Sequence, residues 1–360
     1  MTIDSASTDS TLPSTAGEST ARDSTAARVR PSALVTLGWM AHWVLRMALI
    51  GLLIVYGWTK VFLIQMGVAD YADALVSAGE MSPMGLLWRF MAYSEPVQIA
   101  AGVAEVLACL LLVWRRTAWL GALLGAVDMA VVFALNLFFD VPVKQLALAL
   151  LVGFLLLLIP DVPRLARVVA GRPAPAAPLP QAIPWPRAHR VTRILGPALG
   201  LALVAGSGVA IYQSLGIPQK VPTPVSGVYR VTQDARTPAP QLASDPRWAQ
   251  VAFGSLAREK GSPMSIRTAD GGLRYGWYTL TPSTADGSRG TIEADLGERM
   301  SGLANPSTSG TKLTLEYERS DDGRLRITGA GEQLVLTPDA EGRFLFDRGS
   351  SWAPRQPVNR

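Results

Sequence analysis

The chain has 360 residues, of which 49% are hydrophobic and 17% charged, and its formal net charge is +5. The length allows two domains, and the apolar fraction is too high for one ordinary soluble fold. The single cysteine, Cys109, excludes an internal disulfide framework, and two histidines leave little for a metal site or a haem. Nucleic-acid binding is not indicated, because the basic residues gather at the ends of apolar runs. We therefore predict a membrane protein with no metal and no evident cofactor.

The first half of the chain alternates between polar and apolar stretches. Residues 1–33 are rich in Ser, Thr and Ala, and we predict a disordered cytoplasmic tail. Five later stretches approach the length of about 20 apolar residues that a spanning helix needs; they are residues 37–65, 97–114, 119–139, 143–159 and 194–215. We predict a four-helix membrane domain at 34–168, a Pro-rich cytoplasmic linker at 169–192 and a fifth transmembrane helix at 193–216. Residues 84–93 mix aromatic side chains with Arg89, as an interfacial helix does.

The distribution of Lys and Arg predicts an orientation, because short loops rich in these residues stay in the cytoplasm. Such residues precede the first span, fill the turn after the second and follow the fourth: Arg28, Arg30, Arg115, Arg116, Arg164, Arg167, Arg172, Arg187, Arg190 and Arg193. The opposite loops hold Arg89 and Lys144. We therefore predict a multi-pass protein of the cell inner membrane, with a cytoplasmic N terminus and an extracytoplasmic C-terminal part.

The C-terminal part, residues 225–360, changes to a period of two. Its short runs, separated by turn signals, are GVYRVTQ, MSIRTAD, LRYGWYTL, GTIEADL, KLTLEYE, RLRITGA, EQLVLTP and RFLFDR. This pattern predicts a small all-β antiparallel barrel or sandwich. We expect its aromatic residues to fill the core; they include Trp248, Tyr275, Trp277, Tyr278, Tyr317 and Trp352. The part has no histidine, so it holds no Ser-His-Asp triad and is not predicted to be an enzyme by itself.

Ionisable residues inside the predicted spans form a candidate intramembrane polar cluster. On the first span, the spacing of His42, Arg46 and Lys60 brings all three to one helix face. Glu105 and Asp128 lie near the middles of the next two spans and therefore at similar depth. One interpretation is structural pairing of Glu105 with Arg46 or Lys60. The other is a polar cavity for a quinone headgroup, a small polar solute or a proton.

Three further polar residues have local interpretations. Asn136, on the third span, also belongs to the candidate intramembrane polar cluster, and it is expected to make an interhelical hydrogen bond rather than a ligand contact. In the motif FFDVPVK, Asp140 is placed to cap the fourth span, with Pro142 in its first turn and Lys144 just inside. Alternatively, Asp140 and Lys144 form the outer rim of a pocket. His42 is also placed to act with Trp43 as an interfacial anchor.

The membrane half also resembles a known family. The stretches SPMGLLWRFMAYSEP and AGVAEVLACLLLVWRRTAWLGALLGAVDMAVVFALNLFFDVPVKQLALALLVGFLLLLIPDVPRL are similar to the DoxX-like integral membrane proteins. The match rests on residues 102–105, on the turn at Arg115 and Arg116, and on DVPVK. DPRW at 245–248, SIR at 265–267 and the ending FLFDRGSSWAPRQPVNR look like an extracytoplasmic tail of one branch. Asp128 departs from the family pattern, in which an apolar residue is usual.

The resemblance implies a four-helix membrane unit and, for some members, quinol-linked redox chemistry. Our first hypothesis is an accessory or binding protein of the inner membrane that displays its β domain to a membrane or extracytoplasmic protein partner. The second is a quinone-linked oxidoreductase component, in which Glu105 or Asp128 exchanges protons. The third is a small-solute transporter. Apart from the lipid membrane, the sequence identifies no partner, and quinone is the one cofactor that the resemblance suggests.

Overall fold

The computed structural model describes residues 33–176, 186–297 and 310–359, so the predicted disordered tail lies outside the described residues, apart from Ala33. The described residues hold these α-helices: α1 Ala33–Val61, α2 Pro83–Tyr93, α3 Glu95–Val113, α4 Ala118–Phe138, α5 Lys144–Leu158, α6 Val162–Val169, α7 Pro186–Leu215 and α8 Ala340–Arg348. Five segments are long and apolar enough to cross a membrane: Ala33–Val61, Glu95–Val113, Ala118–Phe138, Lys144–Val169 and Arg190–Leu215. The predicted helical membrane part is confirmed.

Helices α1, α3, α4 and α5 pack into a ring in which each contacts its two neighbours. Their shared core is apolar and includes Ile50, Leu53, Leu112 and Phe154, each fully buried. Helices α1 and α3 approach closely at Gly102, where an added Cβ would lie 2.6 Å from the carbonyl oxygen of Gly57. This close crossing brings the polar residues of α1 and α3 into direct contact.

Helix α7 packs against α1 and α3 on the outside of the ring. The indole nitrogen of Trp58 on α1 donates a hydrogen bond to the carbonyl of Val204 on α7, at 2.9 Å. Gly208 of α7 lies against the face of the same indole ring. The fifth helix is therefore a packed member of the bundle. It begins at Pro186, before the predicted start at residue 193.

Helix α2 is two-sided. Ser82 caps it by accepting a hydrogen bond from the amide of Gly85, and Pro83 lies in its first turn. Leu87 and Met91 pack on Val141 in the connection between α4 and α5, whereas Leu86 and Phe90 on the other side are exposed. This arrangement is the one expected of an interfacial helix.

The C-terminal part is all-β and antiparallel, as predicted, and of the barrel and the sandwich that the sequence left open it is a closed barrel. Its strands are β2 Gly227–Asp234, β3 Trp248–Phe253, β5 Ser262–Thr268, β6 Leu273–Pro282, β7 Arg289–Gly297, β8 Thr311–Arg319, β9 Leu325–Gly329 and β10 Glu332–Pro338. Consecutive strands of this set pair, and β10 closes the barrel on β2. Two short strands pair beside it: β1 Gln219–Lys220 and β4 Leu256–Ala257.

One predicted strand is wrong, and one strand of the barrel was not predicted. The run RFLFDR lies in helix α8, because Asp339 caps it by accepting hydrogen bonds from the amides of Glu341 and Gly342. The missed strand is β3, with the sequence WAQVAF, which lacks clean alternation because residues on both of its faces are buried.

The aromatic residues of the barrel only partly follow the prediction. Trp248, Tyr278 and Tyr317 are buried in the core, as expected. Trp352, by contrast, is fully exposed. The strand β6 places Tyr278 inward, so by alternation its neighbours Tyr275 and Trp277 lie on the outer face of the barrel.

Candidate functional site

The centre of the candidate site is a buried ion pair between α1 and α3. Lys60 Nζ lies 2.5 Å from Glu105 Oε1, and the two side chains are 6% and 1% exposed. The pair sits beside the glycine crossing, because an added Cβ at Gly102 would lie 2.8 Å from the Cβ of Lys60. Of the two partners left open for Glu105 by the sequence, the structure selects Lys60. The pair neutralises two charges that would be very costly if they were buried separately.

Asp128 on α4 adds a second carboxylate to this cluster. It is close enough for its charge to interact with both Lys60 and Glu105. Asp128 Oδ2 and Glu105 Oε2 are buried and have no hydrogen-bond partner among the described residues. The cluster thus combines two carboxylates with one ammonium, and two acceptor oxygens stay open to a proton or a hydrogen-bond donor.

Arg46 and His42 lie apart from the carboxylates, contrary to the prediction of one cluster. His42 Nε2 lies 3.2 Å from the carbonyl oxygen of Leu157 near the end of α5. Arg46 is 6% exposed and interacts electrostatically with Arg115 in the turn between α3 and α4. The three basic residues of α1 do share a helix face, but α1 is long enough to place them at opposite ends of the bundle. Arg46 therefore does not pair with Glu105.

The other predicted residues lie near the end of the bundle where α4 meets α5. Asn136 is buried, and its side chain makes no hydrogen bond with another described residue, so the expected interhelical bond is not formed there. Asp140 does not cap α5, because the helix begins only at Lys144, with Val143 as its N-cap. Asp140 instead makes an exposed ion pair with Lys144, at 2.5 Å.

The sequence did not predict the contact between the barrel and the connection from α1 to α2. Asp70, in this connection, is 3% exposed. Its carboxylate accepts hydrogen bonds from the amide of Ser255, at 2.8 and 3.1 Å, and from the hydroxyl of Ser255, at 2.9 Å. The approach requires a glycine at 254, because a Cβ there would overlap Asp70 Oδ2. We call this contact the docking site.

Neighbouring residues extend the docking site along β5. Ser265 donates from its hydroxyl to the carbonyl of Ala72, at 2.7 Å, and Arg267 binds Glu80 through two hydrogen bonds of 2.7 Å. Arg267 also donates to the carbonyl of Leu75. The hydrogen bonds from Arg267 lower the pKa of Glu80 to about 2. The outer face of this part of the barrel is therefore covered by the α1–α2 connection.

Two acidic residues of the connection, Asp70 and Asp73, lie near Tyr275 on the outer face of the barrel. Burial raises the pKa of Tyr275, and the carboxylates of Asp73 and Asp70 act in the same direction. Burial also raises the pKa of Asp73, against the opposing effect of Arg89, which lies 3.3 Å away. Tyr275 thus faces the docking site, which explains why an outward aromatic residue is half-buried.

A weak sequence signal for the docking site exists in β5. Pro263 and Ser265 alternate with the core residues Met264 and Ile266, yet all four are buried. A strand that carries no charge on either face over such a run is typical of a strand covered on both sides. The SIR motif lies in this strand, and its Ser265 and Arg267 both bind the connection. In DPRW, Asp245 and Arg247 pair with one another at 2.8 Å.

Comparisons with known proteins assign no activity to these sites. No family model matches the chain, and no solved structure matches it. The chain is 34% identical over 105 residues to the uncharacterized protein YwoB of Bacillus subtilis (strain 168). The aligned residues are 29% of this chain and 66% of YwoB, so the chain spans just under two thirds of that relative. The resemblance to DoxX-like proteins stays a prediction.

Proposed function

We propose that this chain is an accessory or binding protein of the cell membrane, related to DoxX-like proteins, that presents its β-barrel at the extracytoplasmic face. The observation that carries the proposal is the docking site. A barrel on a free tether needs no buried carboxylate to hold it, yet Asp70 is buried against Ser255. The bundle and the barrel therefore act as one unit, in which the membrane helices set the orientation of the barrel.

The proposed sidedness follows from the two ends of the bundle. The barrel docks on the connection between α1 and α2, at the same end as Asp140 and Lys144. Helix direction puts Arg115 and Arg116, in the turn between α3 and α4, at the opposite end. Because arginine-rich short loops are retained in the cytoplasm, the barrel end is the outer one.

A matched pair of variants tests the presentation role in spheroplasts. Protease added from outside should cleave the barrel of the intact protein, and cross-linking in the membrane should recover a protein partner. Asp70→Asn should lose the cross-linked partner at unchanged membrane abundance, whereas Asp322→Asn, at an exposed carboxylate of the barrel, should keep it. A barrel that stays intact under external protease contradicts the sidedness. A partner that survives Asp70→Asn contradicts the need for a fixed orientation.

A second candidate function rests on the open carboxylate oxygens of Glu105 and Asp128. In a quinone-linked membrane component, these oxygens would accept hydrogen bonds from a quinol headgroup and take up its protons. The chain would then need redox partners, because its polar cluster contains no redox-active group. Quinone extracted from protein purified in mild detergent tests this role. It should be bound by the wild type and by Asp70→Asn but lost from Asp128→Asn, and its absence from the wild type contradicts the hypothesis.

A further inference from the structure

The end of the bundle away from the barrel holds a buried arginine that the ion pairs described above do not use. Arg46 is 6% exposed, and its Nε atom is buried without a hydrogen-bond partner among the described residues. Among the described residues, the charged group that acts on Arg46 is Arg115, which has the same sign. An unpaired buried cation is costly, so Arg46 is expected to have an anionic partner from outside the described residues.

The groups around Arg46 do not supply it with an anionic partner. His42 lies one turn before Arg46 on α1 and is within electrostatic range of Arg46, Arg115 and Asp161. The carboxylate of Asp161 is already bound by Arg164, at 3.3 Å. The guanidinium of Arg164 in turn stacks over Trp119 of α4, at 4.7 Å. The local acid therefore does not offset the charge on Arg46.

The backbone of α4 contributes in the same direction. Thr117 is its N-cap residue, but the Thr117 hydroxyl donates to the carbonyl of Leu111, at 2.7 Å, and makes no cap bond. The Thr117 side chain therefore does not cap the first amides of α4, which lie beside the turn that holds Arg115 and Arg116. The positive end of the helix dipole lies there as well. Arg46, Arg115 and the start of α4 together form what we call the basic end site.

The depth of the site matches a lipid headgroup. His42 contacts Leu157, one residue before the end of α5, and Arg115 lies between the last residue of α3 and the first of α4. The turn between α3 and α4 separates two spanning segments and therefore marks a boundary of the apolar bundle. Arg46 lies one turn inside that boundary, within reach of it through a long side chain.

We propose that the basic end site binds the phosphate of an anionic phospholipid headgroup from the adjacent leaflet. The phosphate oxygens accept from the guanidinium of Arg46 and face the charge of Arg115. Exposed apolar residues of α1 beside Arg46, Trp43 and Val44, would contact the acyl chains. Arginine suits this ligand, because its planar fork matches phosphate oxygens and stays charged at all physiological pH values. The inference does not depend on the barrel or on the proposed function.

Native mass spectrometry of the full chain in mild detergent tests the site. We expect phosphatidylglycerol to bind more tightly than phosphatidylcholine, and Arg46→Gln to weaken phosphatidylglycerol binding about tenfold, as for the loss of a charged hydrogen bond. Arg193→Gln removes an exposed charge from the start of α7 and controls for general attraction, so it should bind like the wild type. Equal binding of the two lipids, or unchanged binding by Arg46→Gln, would overturn the proposal.

Two further arms keep the test decisive. If Arg46→Gln fails to fold, Arg115→Gln replaces it, because this residue lies in the turn and is only partly buried; the expected loss is the same in direction, and its absence would contradict the site. Inorganic phosphate is added as a competitor. Displacement of phosphatidylglycerol by phosphate indicates that the site recognises the phosphate group alone, whereas no displacement indicates that it requires the lipid.

Discussion

Glu105 in the bundle and Asp70 at the docking site are both buried carboxylates, and the molecule accommodates them in different ways. Glu105 meets a full opposite charge, since Lys60 lies 2.5 Å away. Asp70 meets neutral donors, the amide and the hydroxyl of Ser255. In each case a glycine allows the approach: Gly102, on the same helix as Glu105, for the ion pair, and Gly254, next to Ser255, for the docking site.

The difference reflects what surrounds each acid. The ion pair lies between two membrane-spanning helices, where an isolated charge has no water to solvate it and an opposite charge is the strongest available partner. The docking site lies outside the spanning segments, where backbone and hydroxyl donors suffice for a carboxylate. The charge pair therefore holds α1 and α3 in register, whereas Asp70 holds the barrel on the bundle through directional hydrogen bonds.

The largest expected effect comes from breaking the ion pair on one side. Glu105→Ala leaves the Lys60 ammonium buried without its partner, which should lower the free energy of unfolding in detergent by about 3–5 kcal/mol. The double variant Lys60→Met with Glu105→Leu removes both charges and should recover most of the loss. The stability of the single and the double variant is measured by heating the purified proteins and using size-exclusion chromatography to quantify the fraction that stays folded. Equal stability of Glu105→Ala and the wild type would show that the pair does not hold α1 on α3.

A smaller effect is expected at the docking site, because only neutral donors lose their partner. Asp70→Ala leaves the amide and hydroxyl of Ser255 unsatisfied, at a cost of about 1–3 kcal/mol to the docked state. Hydrogen exchange at the Ser255 amide should speed up, while exchange in the core of the barrel stays unchanged. Gly254→Ala should act in the same way by a separate route, since its Cβ displaces the carboxylate. Unchanged protection of Ser255 in both variants would contradict a docked barrel.

The sequence predicted the spanning helices well, because an apolar run of this length has few other stable states. It also identified Lys60 and Glu105 as partners among alternatives, since both are ionisable residues on helices adjacent in the chain. It failed on Arg46, because helix periodicity gives the direction of a side chain but not which neighbour lies at its depth. The crossing of α1 and α3 at Gly102 decides which carboxylate meets which base. That crossing arises from the packing of the two helices and cannot be read from either helix alone.

The docking site could not be predicted because its partners, Asp70 and Ser255, are far apart in the chain and each looks ordinary locally. Asp70 stands in a polar connection of the kind that is usually solvated, and Ser255 lies in a turn between strands. The two errors in the predicted strands, RFLFDR included and WAQVAF left out, have a related cause. Alternation describes a strand with one wet face, so it fails for β3, whose outer residue Ala252 packs under Leu75 of the connection.

The smallest expected effect is a pH dependence of docking that arises from Glu80. The hydrogen bonds from Arg267 lower the pKa of this carboxyl to about 2 in the folded protein, below about 4.3 for an unfolded chain. The folded state therefore gains stability from ionised Glu80 above pH 4.3, and it loses that stability as the pH falls toward 2. The side chain is 41% exposed, so we expect only about 0.2–1 kcal/mol.

This effect is isolated by comparing the wild type with Glu80→Gln, because other acids in the contact titrate in both proteins. Asp73 is one of them, and it acts with the opposite sign, since burial raises the pKa of Asp73 and its protonation favours the folded form. Exchange protection at Ser255 should therefore differ between the two proteins at pH 6 and converge as the pH approaches 2. High salt should reduce the difference, as for any exposed pair. A constant difference across this pH range would mean that Glu80 holds the connection by packing and not by its charge. The contact at Glu80 would then resemble the close helix crossing at Gly102 more than the ion pair of Lys60 and Glu105.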